Sequence, residues 1–460
     1  MNRIAGRAWV LLLLMAFLAG GLGFFGYEYV TKAETWVLHN GSPHVYEGGA
    51  QLIALGRVTD GDGEFLLDLN DGRTYASNPS VRMATVHWLG DRSGNIRGTV
   101  LQTYAAKMAG FSLVDGLYGY DGGGATAQLT LLSQVQAEAL AALGSYKGTI
   151  AVYNYRTGQI LCAVSTPVFD PEAVPDLSGG DYEGVYWNRF TQAAYVPGSI
   201  FKIVTTAAAL EQDADVTQRT YTCTGKQVLR GGTVTCERPH GKQDLKTAMR
   251  NSCNCYYAQL TVEMGAEKLT DFVQRSGVLR SVSFDGVQTA RGNFSVEGAA
   301  QVELAWAGIG QHTDLVNPCA FLQFVGAVAN DGVAVSPYMM ESVTAGKQLL
   351  YRAVAASGQA VMSRQTAEKL QEFMRNNVKN GYGDENFPEG MTVCAKSGTG
   401  EVDGDRRSYA MFTGFVTNEE YPLAFLAAVE DAGYGKQICM PMISRVLATC
   451  KNVLDAQMGY

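Results

Sequence analysis

Ser199 and Lys202 stand three residues apart at the head of an apolar run, Tyr195-Val-Pro-Gly-Ser-Ile-Phe-Lys202, which continues as Ile203-Val-Thr-Thr-Ala-Ala-Ala-Leu210. Pro197 and Gly198 break whatever precedes them. The run beyond has almost no polar face, so it predicts a buried helix that opens at the serine. At this spacing both side chains project from one face, about one turn apart. A lysine buried among Ile, Phe and Val is costly to charge, and desolvation lowers its pKa. A neutral amine beside a hydroxyl can take the hydroxyl proton, which makes Ser199 a nucleophile and Lys202 its general base. The helix N-terminus adds outward-pointing N–H groups that favour negative charge. The plainer alternative is a serine that only caps its helix.

Two further stretches supply what such a serine needs. In Asp244-Leu-Lys-Thr-Ala-Met-Arg-Asn-Ser252-Cys-Asn254-Cys-Tyr-Tyr257, Asp244 can cap a short helix. The polar run then forms a knuckle before an aromatic helix, so the Ser252 hydroxyl and the Asn254 amide can face one cleft. Ser and Asn are also ordinary turn residues. In Met391-Thr-Val-Cys-Ala-Lys396-Ser397-Gly398-Thr399-Gly400-Glu401, alternation predicts a strand whose glycines let a ligand or another backbone approach closely. If that strand borders the Ser199 helix, Lys396 places a positive charge in the cleft. The alternative is a solvent-facing lysine before a turn. Ser93-Gly94-Asn95 also matches Ser-x-Asn, but it lies in a polar turn before the nucleophile and carries no assigned chemistry.

The elements that must position these groups are legible in outline. Gln128–Leu132 reads as a strand and Gln134–Leu143 as a helix. Lys147–Asn154 and Gln159–Ser165 read as a hairpin turning at Arg156-Thr-Gly158. Tyr409–Val416 and Leu423–Val429 read as two more strands, and Cys439–Leu454 as a closing helix. Together they predict a mixed α and β (α+β) domain, an antiparallel sheet of about five strands covered by helices. Residues 28–125 differ: short alternating runs are broken by Asp-Gly pairs, one amphipathic helix fits Val100–Met108, and Gly122-Gly-Gly124 reads as a hinge. This part is expected to be a spacer or pedestal. Residues 8–27 hold no charge and are long enough to span a bilayer. Arg3 and Arg7 precede them, so residues 1–7 are expected to stay in the cytoplasm and the rest of the chain to lie outside. A cleaved signal peptide is the competing reading, disfavoured by the length of the run and the poor cleavage site near Ala19-Gly20.

The chain has 460 residues, a formal net charge of −8 and no strongly basic run, which argues against a nucleic-acid partner. Its nine cysteines match no zinc spacing: Cys253-x-Cys255 is tight for a metal pair and no His clusters with it in sequence. No metal or other cofactor is therefore expected. Cys223 and Cys236 flank a segment, TGKQVLRGGTVT, that reads as a hairpin. They are either a disulfide or two free buried thiols.

Ser199-x-x-Lys202, Ser252-x-Asn254 and Lys396-Ser-Gly, in this order, resemble the active-site signature of the penicillin-recognising serine enzymes. With Gly310-Gln311 before Asn317-Pro318, Asn330-Asp-Gly332 and Lys396-Ser-Gly-Thr399, the chain is similar to the class B penicillin-binding proteins, monofunctional peptidoglycan transpeptidases. The resemblance covers residues 127–450 well and 50–125 loosely. It implies a transpeptidase domain over 126–460 and a pedestal or dimerisation-like domain before it. It implies that Ser199 is acylated by a stem peptide ending in D-Ala-D-Ala, with Lys202 as base and Ser252 relaying a proton to the leaving group. Asn254, Lys396, Ser397, Gly398 and Thr399 would bind substrate, and the Ser199 and Thr399 N–H groups would form the oxyanion hole. β-Lactams would acylate Ser199 as mimics of that terminus, and a SEDS-type glycan polymerase is a partner the family suggests. Departures from the pattern are Leu132, where the family usually has Asp, His312 after Gln311, and Gly400 in place of a common Ala. The rival functions are a D,D-carboxypeptidase, in which water replaces the acceptor amine, and a β-lactamase, for which only Glu297 and Glu303 offer a deacylating base. A third is an inactive penicillin-binding scaffold, which usually lacks the Ser or Lys that this chain keeps.

Overall fold

The computed structural model describes residues 2–37, 46–47, 50–51, 55–70, 72–96, 98–114, 116–117, 119–120, 123–355, 358–401 and 408–459. Of the expected Gly122–124 hinge, Gly122 lies outside them. The charge-free run forms part of α1 (Asn2–Val37), the one helix among the described residues long and apolar enough to cross a membrane.

The next elements are short, as their broken pattern predicts: β1 (Arg57–Thr59), β2 (Phe65–Asp68) and β3 (Thr74–Tyr75), then α2 (Pro79–Leu89). Asn78 caps α2 through the Ser80 N–H, and Pro79 fills the first turn, where no donor is needed. The helix expected over Val100–Met108 is a correction. Residues 100–104 form turns, and only α3 (Ala105–Ala109) is helical. Tertiary contacts override the local pattern there: Thr103 Oγ1 donates to the Asp285 carbonyl and Tyr104 Oη to the Asp285 carboxylate, which fixes the first half of the segment outside a helix.

The strand after it, β4, runs from Thr126 to Leu129, earlier than expected, and leads into α4 (Ser133–Leu143). Leu132 stands at the N-cap of α4 and offers no side-chain acceptor. The carboxylate comes from Asp60 instead, which accepts from the Ser133 N–H at 3.0 Å and from the Ser133 hydroxyl. The cap thus comes from a residue far away in sequence.

The remaining elements build the body. β5 (Gly148–Asn154) and β6 (Ile160–Thr166) form the expected hairpin, and α5 (Lys202–Gln212) follows a single tight turn over Gly198–Phe201. Two small hairpin-like pairings come next: β7 (Tyr221–Cys223), β8 (Lys226–Leu229), β9 (Gly232–Thr235) and β10 (Gly241–Gln243), with β8 on β9 and β7 on β10. Then come α6 (Leu245–Arg250), α7 (Asn254–Met264), α8 (Pro318–Ala329), β11 (Met340–Ala345), β12 (Gln348–Arg352) and α9 (Arg364–Asn377). The chain ends with β13 (Val393–Gly400), β14 (Tyr409–Val416), β15 (Leu423–Val429) and α10 (Gly435–Met458).

The main sheet has five antiparallel strands in the order β6-β5-β15-β14-β13. Its strands are apolar on both faces because both are covered. Ile150, Val152, Phe412 and Phe425 pack on α4 and α10 residues such as Val135, Leu143, Ile443 and Leu447. Ala151, Tyr153 and Leu426 face the other core, which includes Phe321 and Phe324 of α8. A second sheet, β12-β11-β4-β1-β2-β3, joins the early strands to β4 and to the later pair, with β1 parallel to β4. The order of the main sheet leaves β13, the strand of Lys396, at its edge, where an extended chain can pair with it.

Candidate active site

The Ser199 turn is pressed against the open edge of β13. Gly198 has φ +53°, and a Cβ there would lie 2.1 Å from the Thr399 carbonyl oxygen. Only glycine accepts both the left-handed backbone and this approach. Its N–H donates to the Gly310 carbonyl at 2.8 Å, which ties the turn to the Gly310-Gln311 segment. Gln311 reaches on to the Thr399 carbonyl through Nε2 at 3.4 Å. Gly398 faces the same seam, where a Cβ would meet the Pro197 carbonyl oxygen at 2.8 Å. These glycines bring the serine turn and the Lys396 strand into one cleft.

Ser199 is half-buried, whereas Lys202, one turn further along, is fully enclosed. Lys202 Nζ lies 3.1 Å from Ser199 Oγ, 2.7 Å from the Ser252 carbonyl oxygen, 2.7 Å from Asn254 Oδ1 and 3.1 Å from Ser252 Oγ. The Tyr257 ring closes the pocket 5.4 Å away. Burial lowers the pKa of this amine to about 8. In its neutral form it has two N–H donors and one lone pair. The donors match the two carbonyl oxygens at 2.7 Å, and the lone pair is then free to accept from the Ser199 hydroxyl.

Ser252 sits in a turn between α6 and α7, with φ +50°. Asp244 caps α6 by accepting from the Thr247 N–H, as expected, and Cys253 caps α7 by accepting from the Tyr256 N–H. The Ser252 hydroxyl bridges the two lysines: Lys396 Nζ is 3.1 Å away on the other side. Asn254 holds the turn by donating from Nδ2 to the Thr235 carbonyl at 2.9 Å.

Lys396 is as buried as Lys202, not solvent-facing. Burial first, and the nearby Lys202 charge second, hold it well below the ordinary lysine range. An anion in the cleft would favour its charged form. Lys396 Nζ also donates to the Ser397 carbonyl at 2.7 Å. Ser397 and Thr399 alternate with Lys396 along β13 and remain partly exposed. Tyr382, which no local pattern flags, locks Ser397 in place. Its hydroxyl donates to Ser397 Oγ at 2.9 Å and accepts from the Ser397 N–H at 2.8 Å.

All eight residues singled out in the sequence thus lie around one cleft: Ser199, Lys202, Ser252, Asn254, Lys396, Ser397, Gly398 and Thr399. Sequence reasoning missed the supporting roles of Tyr382 and Tyr257. Of the two readings open for Cys223 and Cys236, the structure shows free thiols, and Cys236 Sγ lies 3.7 Å from Cys253 Sγ and 3.5 Å from Cys255 Sγ. His240, absent from the sequence-level search for a metal cluster, joins Cys223, Cys236 and Cys253 in one group. The Cys236-x-x-x-His240 spacing was the available signal.

Residues 148–448 match the family model described as penicillin binding protein transpeptidase domain. Among curated proteins, the chain is 28% identical over 417 residues to peptidoglycan D,D-transpeptidase PbpA of Mycolicibacterium smegmatis, covering 84% of this chain and 83% of that protein. Among solved structures, it is similar to the D,D-transpeptidase domain of a peptidoglycan glycosyltransferase from Eggerthella lenta, with a TM-score of 0.75 and 26% identity over 86% of this chain and 98% of that one. The ceftriaxone acyl-enzyme complex of penicillin-binding protein A from M. tuberculosis shares the fold, with a TM-score of 0.75 and 22% identity over 86% of this chain and 97% of that one.

Proposed function

Because the chain belongs to the penicillin-binding protein transpeptidase family, and to its class B members, we propose that the cleft around Ser199 carries out their acyl transfer, with each residue in a definite role. The protein is a peptidoglycan D,D-transpeptidase, a serine acyltransferase that takes stem peptides and binds β-lactams.

A donor stem peptide lies extended along the edge of β13, pairing as an added strand. Its terminal carboxylate is held by the Ser397 and Thr399 hydroxyls, and its arrival favours the charged form of Lys396. Gly398 lets the serine turn pack close against the strand beside this site. Lys202, neutral, takes the proton of Ser199 as Oγ attacks the penultimate D-Ala carbonyl carbon. The N–H groups of Ser199 and Thr399 receive the oxyanion. As the intermediate collapses, the C–N bond to the terminal D-Ala breaks, and the proton reaches the leaving amine through Ser252. An acceptor amine then attacks the acyl carbon, its proton passes through Ser252 to Lys202 and on to Ser199 Oγ as the ester C–O bond breaks, and the cross-linked peptide is released with the serine hydroxyl restored. Asn254 orients Lys202 through Oδ1 and is placed to meet the donor amide.

The observation that carries this reading is the arrangement at Lys202. A fully buried amine with two carbonyl acceptors at 2.7 Å and the Ser199 hydroxyl at 3.1 Å is built to work unprotonated. The test is full-length protein in detergent, given a D-Ala-D-Ala donor and an amine acceptor. Release of one D-Ala for each cross-link formed, lost in Ser199→Ala, supports the transpeptidase. D-Ala release with a free carboxyl product points to the carboxypeptidase, and neither product leaves the scaffold. We further propose that α1 anchors the protein in the bacterial cell membrane with residues beyond it on the outer side, supported by Arg3 and Arg7 before the apolar run. A SEDS-type glycan polymerase docking beside α1 is the partner that best suits this placement.

A further inference from the structure

Beneath the Ser252 turn, four side chains from separate segments converge. Cys223 ends β7, Cys236 follows β9, His240 precedes β10, and Cys253 opens α7. Their ligand atoms all lie within 4.8 Å of one another. We infer that Cys223, Cys236, His240 and Cys253 form a zinc site that braces the Ser252–Asn254 turn. With Zn–S near ~2.3 Å and Zn–N near ~2.05 Å, a tetrahedral ion sets its ligand sulfurs about 3.8 Å apart and a sulfur and nitrogen about 3.6 Å apart. The Cys236 and Cys253 sulfurs are 3.7 Å apart, and Cys223 Sγ lies 3.6 Å from His240 Nδ1. A disulfide would need its sulfurs at about 2.05 Å.

The surroundings suit bound thiolates. The Cys255 N–H points at Cys236 Sγ at 3.3 Å, and the Tyr256 N–H at Cys253 Sγ at 3.4 Å. Both amides belong to the first turn of α7, where N–H groups favour negative charge and orient metal ligands. Three soft sulfurs and one imidazole select zinc over calcium or magnesium. Cys223 and Cys253 are buried, while Cys236 and His240 are partly open, which leaves an entry path. Cys255, although its sulfur is 3.5 Å from Cys236, lies outside the quartet and is directed to the Val234 carbonyl.

The link to the cleft is covalent. Cys253 is the residue between Ser252 and Asn254, and Asn254 donates to Thr235, next to Cys236. The ion would therefore pin the turn to the β8–β9 hairpin and hold Ser252, with its φ of +50°, between Lys202 and Lys396. It touches no reacting atom. This positioning role rests on the acyl-transfer reading above; the site itself does not.

The test begins with elemental analysis of full-length protein purified in detergent under reducing conditions. About one zinc per chain is expected, falling at least fivefold in the Cys236→Ser/His240→Ala double variant and unchanged in Cys255→Ser. Because the double variant can fail to fold, the wild-type protein is also stripped and refilled with cobalt, which should give thiolate-to-cobalt charge-transfer bands and a tetrahedral visible spectrum. Less than a tenth of an equivalent of zinc after refilling, a full equivalent retained by the double variant, or a native disulfide from Cys236 to Cys253 or Cys255 would overturn the site. Stripping zinc should slow labelling by fluorescent penicillin about tenfold, with recovery on refilling. Labelling that ignores the zinc content would overturn the positioning role and leave the stoichiometry readable.

Discussion

Raising the pH from 6 to 10 is a direct perturbation of the proposed base. Lys202 is fully buried, and desolvation brings its pKa from 10.5 to about 8. An amine of that pKa is about one-tenth neutral at pH 7 and half neutral at pH 8, whereas an ordinary lysine is only about 0.03% neutral at pH 7. The gain in free base at neutral pH is roughly 300-fold, equivalent to about 3 kcal/mol at ~1.36 kcal/mol for each pKa unit. The sign follows from burial: the folded-state pKa lies below the unfolded one, so the cost of the charge is fully present below pH 8 and is relieved as pH rises from there. The rate of Ser199 acylation by fluorescent penicillin should therefore climb about tenfold per unit below pH 7, bend near 8 and level off above it. Lys202→Arg keeps a cation of similar length that cannot deprotonate, and should lose the labelling at every pH. Stopped-time labelling at saturating and subsaturating probe measures both. A profile flat from pH 6 to 10, an inflection near 10, or full activity in Lys202→Arg would refute the role given to this amine.

Gly198→Ala places a Cβ 2.1 Å from the Thr399 carbonyl oxygen on a left-handed backbone, so the turn must move away from β13. A displacement of about 1 Å costs on the order of 100-fold in a positioned reaction, and labelling should fall by about that factor while circular dichroism stays native. Tyr382→Phe removes two hydrogen bonds from Ser397 at about 1 kcal/mol each. The second-order acylation constant should drop about ten- to thirtyfold, with the pH inflection unmoved. Asp60→Ala strips the carboxylate that caps α4 and should cost about 1 kcal/mol in urea unfolding, with acylation unchanged in rate.

The sequence revealed most where chemistry and structure are both local. Ser199 and Lys202 are one helical turn apart, so their meeting is fixed by spacing alone. The strands of the main sheet are long enough, and apolar enough, to be read individually. Their order could be guessed because each antiparallel neighbour but one follows its partner closely in the chain. The cleft itself depends on distant pairs that no window contains. Gly198 meets Thr399, Lys396 meets Ser252, and Tyr382 meets Ser397 only because β13 falls at the sheet edge beside the serine turn. The same limit hid Asp60, which caps a helix from the turn after β1, and His240, which joins three cysteines through two small hairpins. At residues 100–104 a helical pattern lost to the pull of Asp285 on Thr103 and Tyr104. The state of Lys396 was also out of reach, since its burial and its repulsion from Lys202 arise only in the assembled cleft.

The central claim is that Ser199 is the acylated nucleophile. The most direct measurement is peptide mass spectrometry of the full-length protein after brief exposure to penicillin, with digestion that isolates the peptide holding Ser199-Ile-Phe-Lys202. One penicilloyl mass per chain is expected, localised to Ser199 and persisting for hours. A label on any other residue, or none on folded protein, would contradict it.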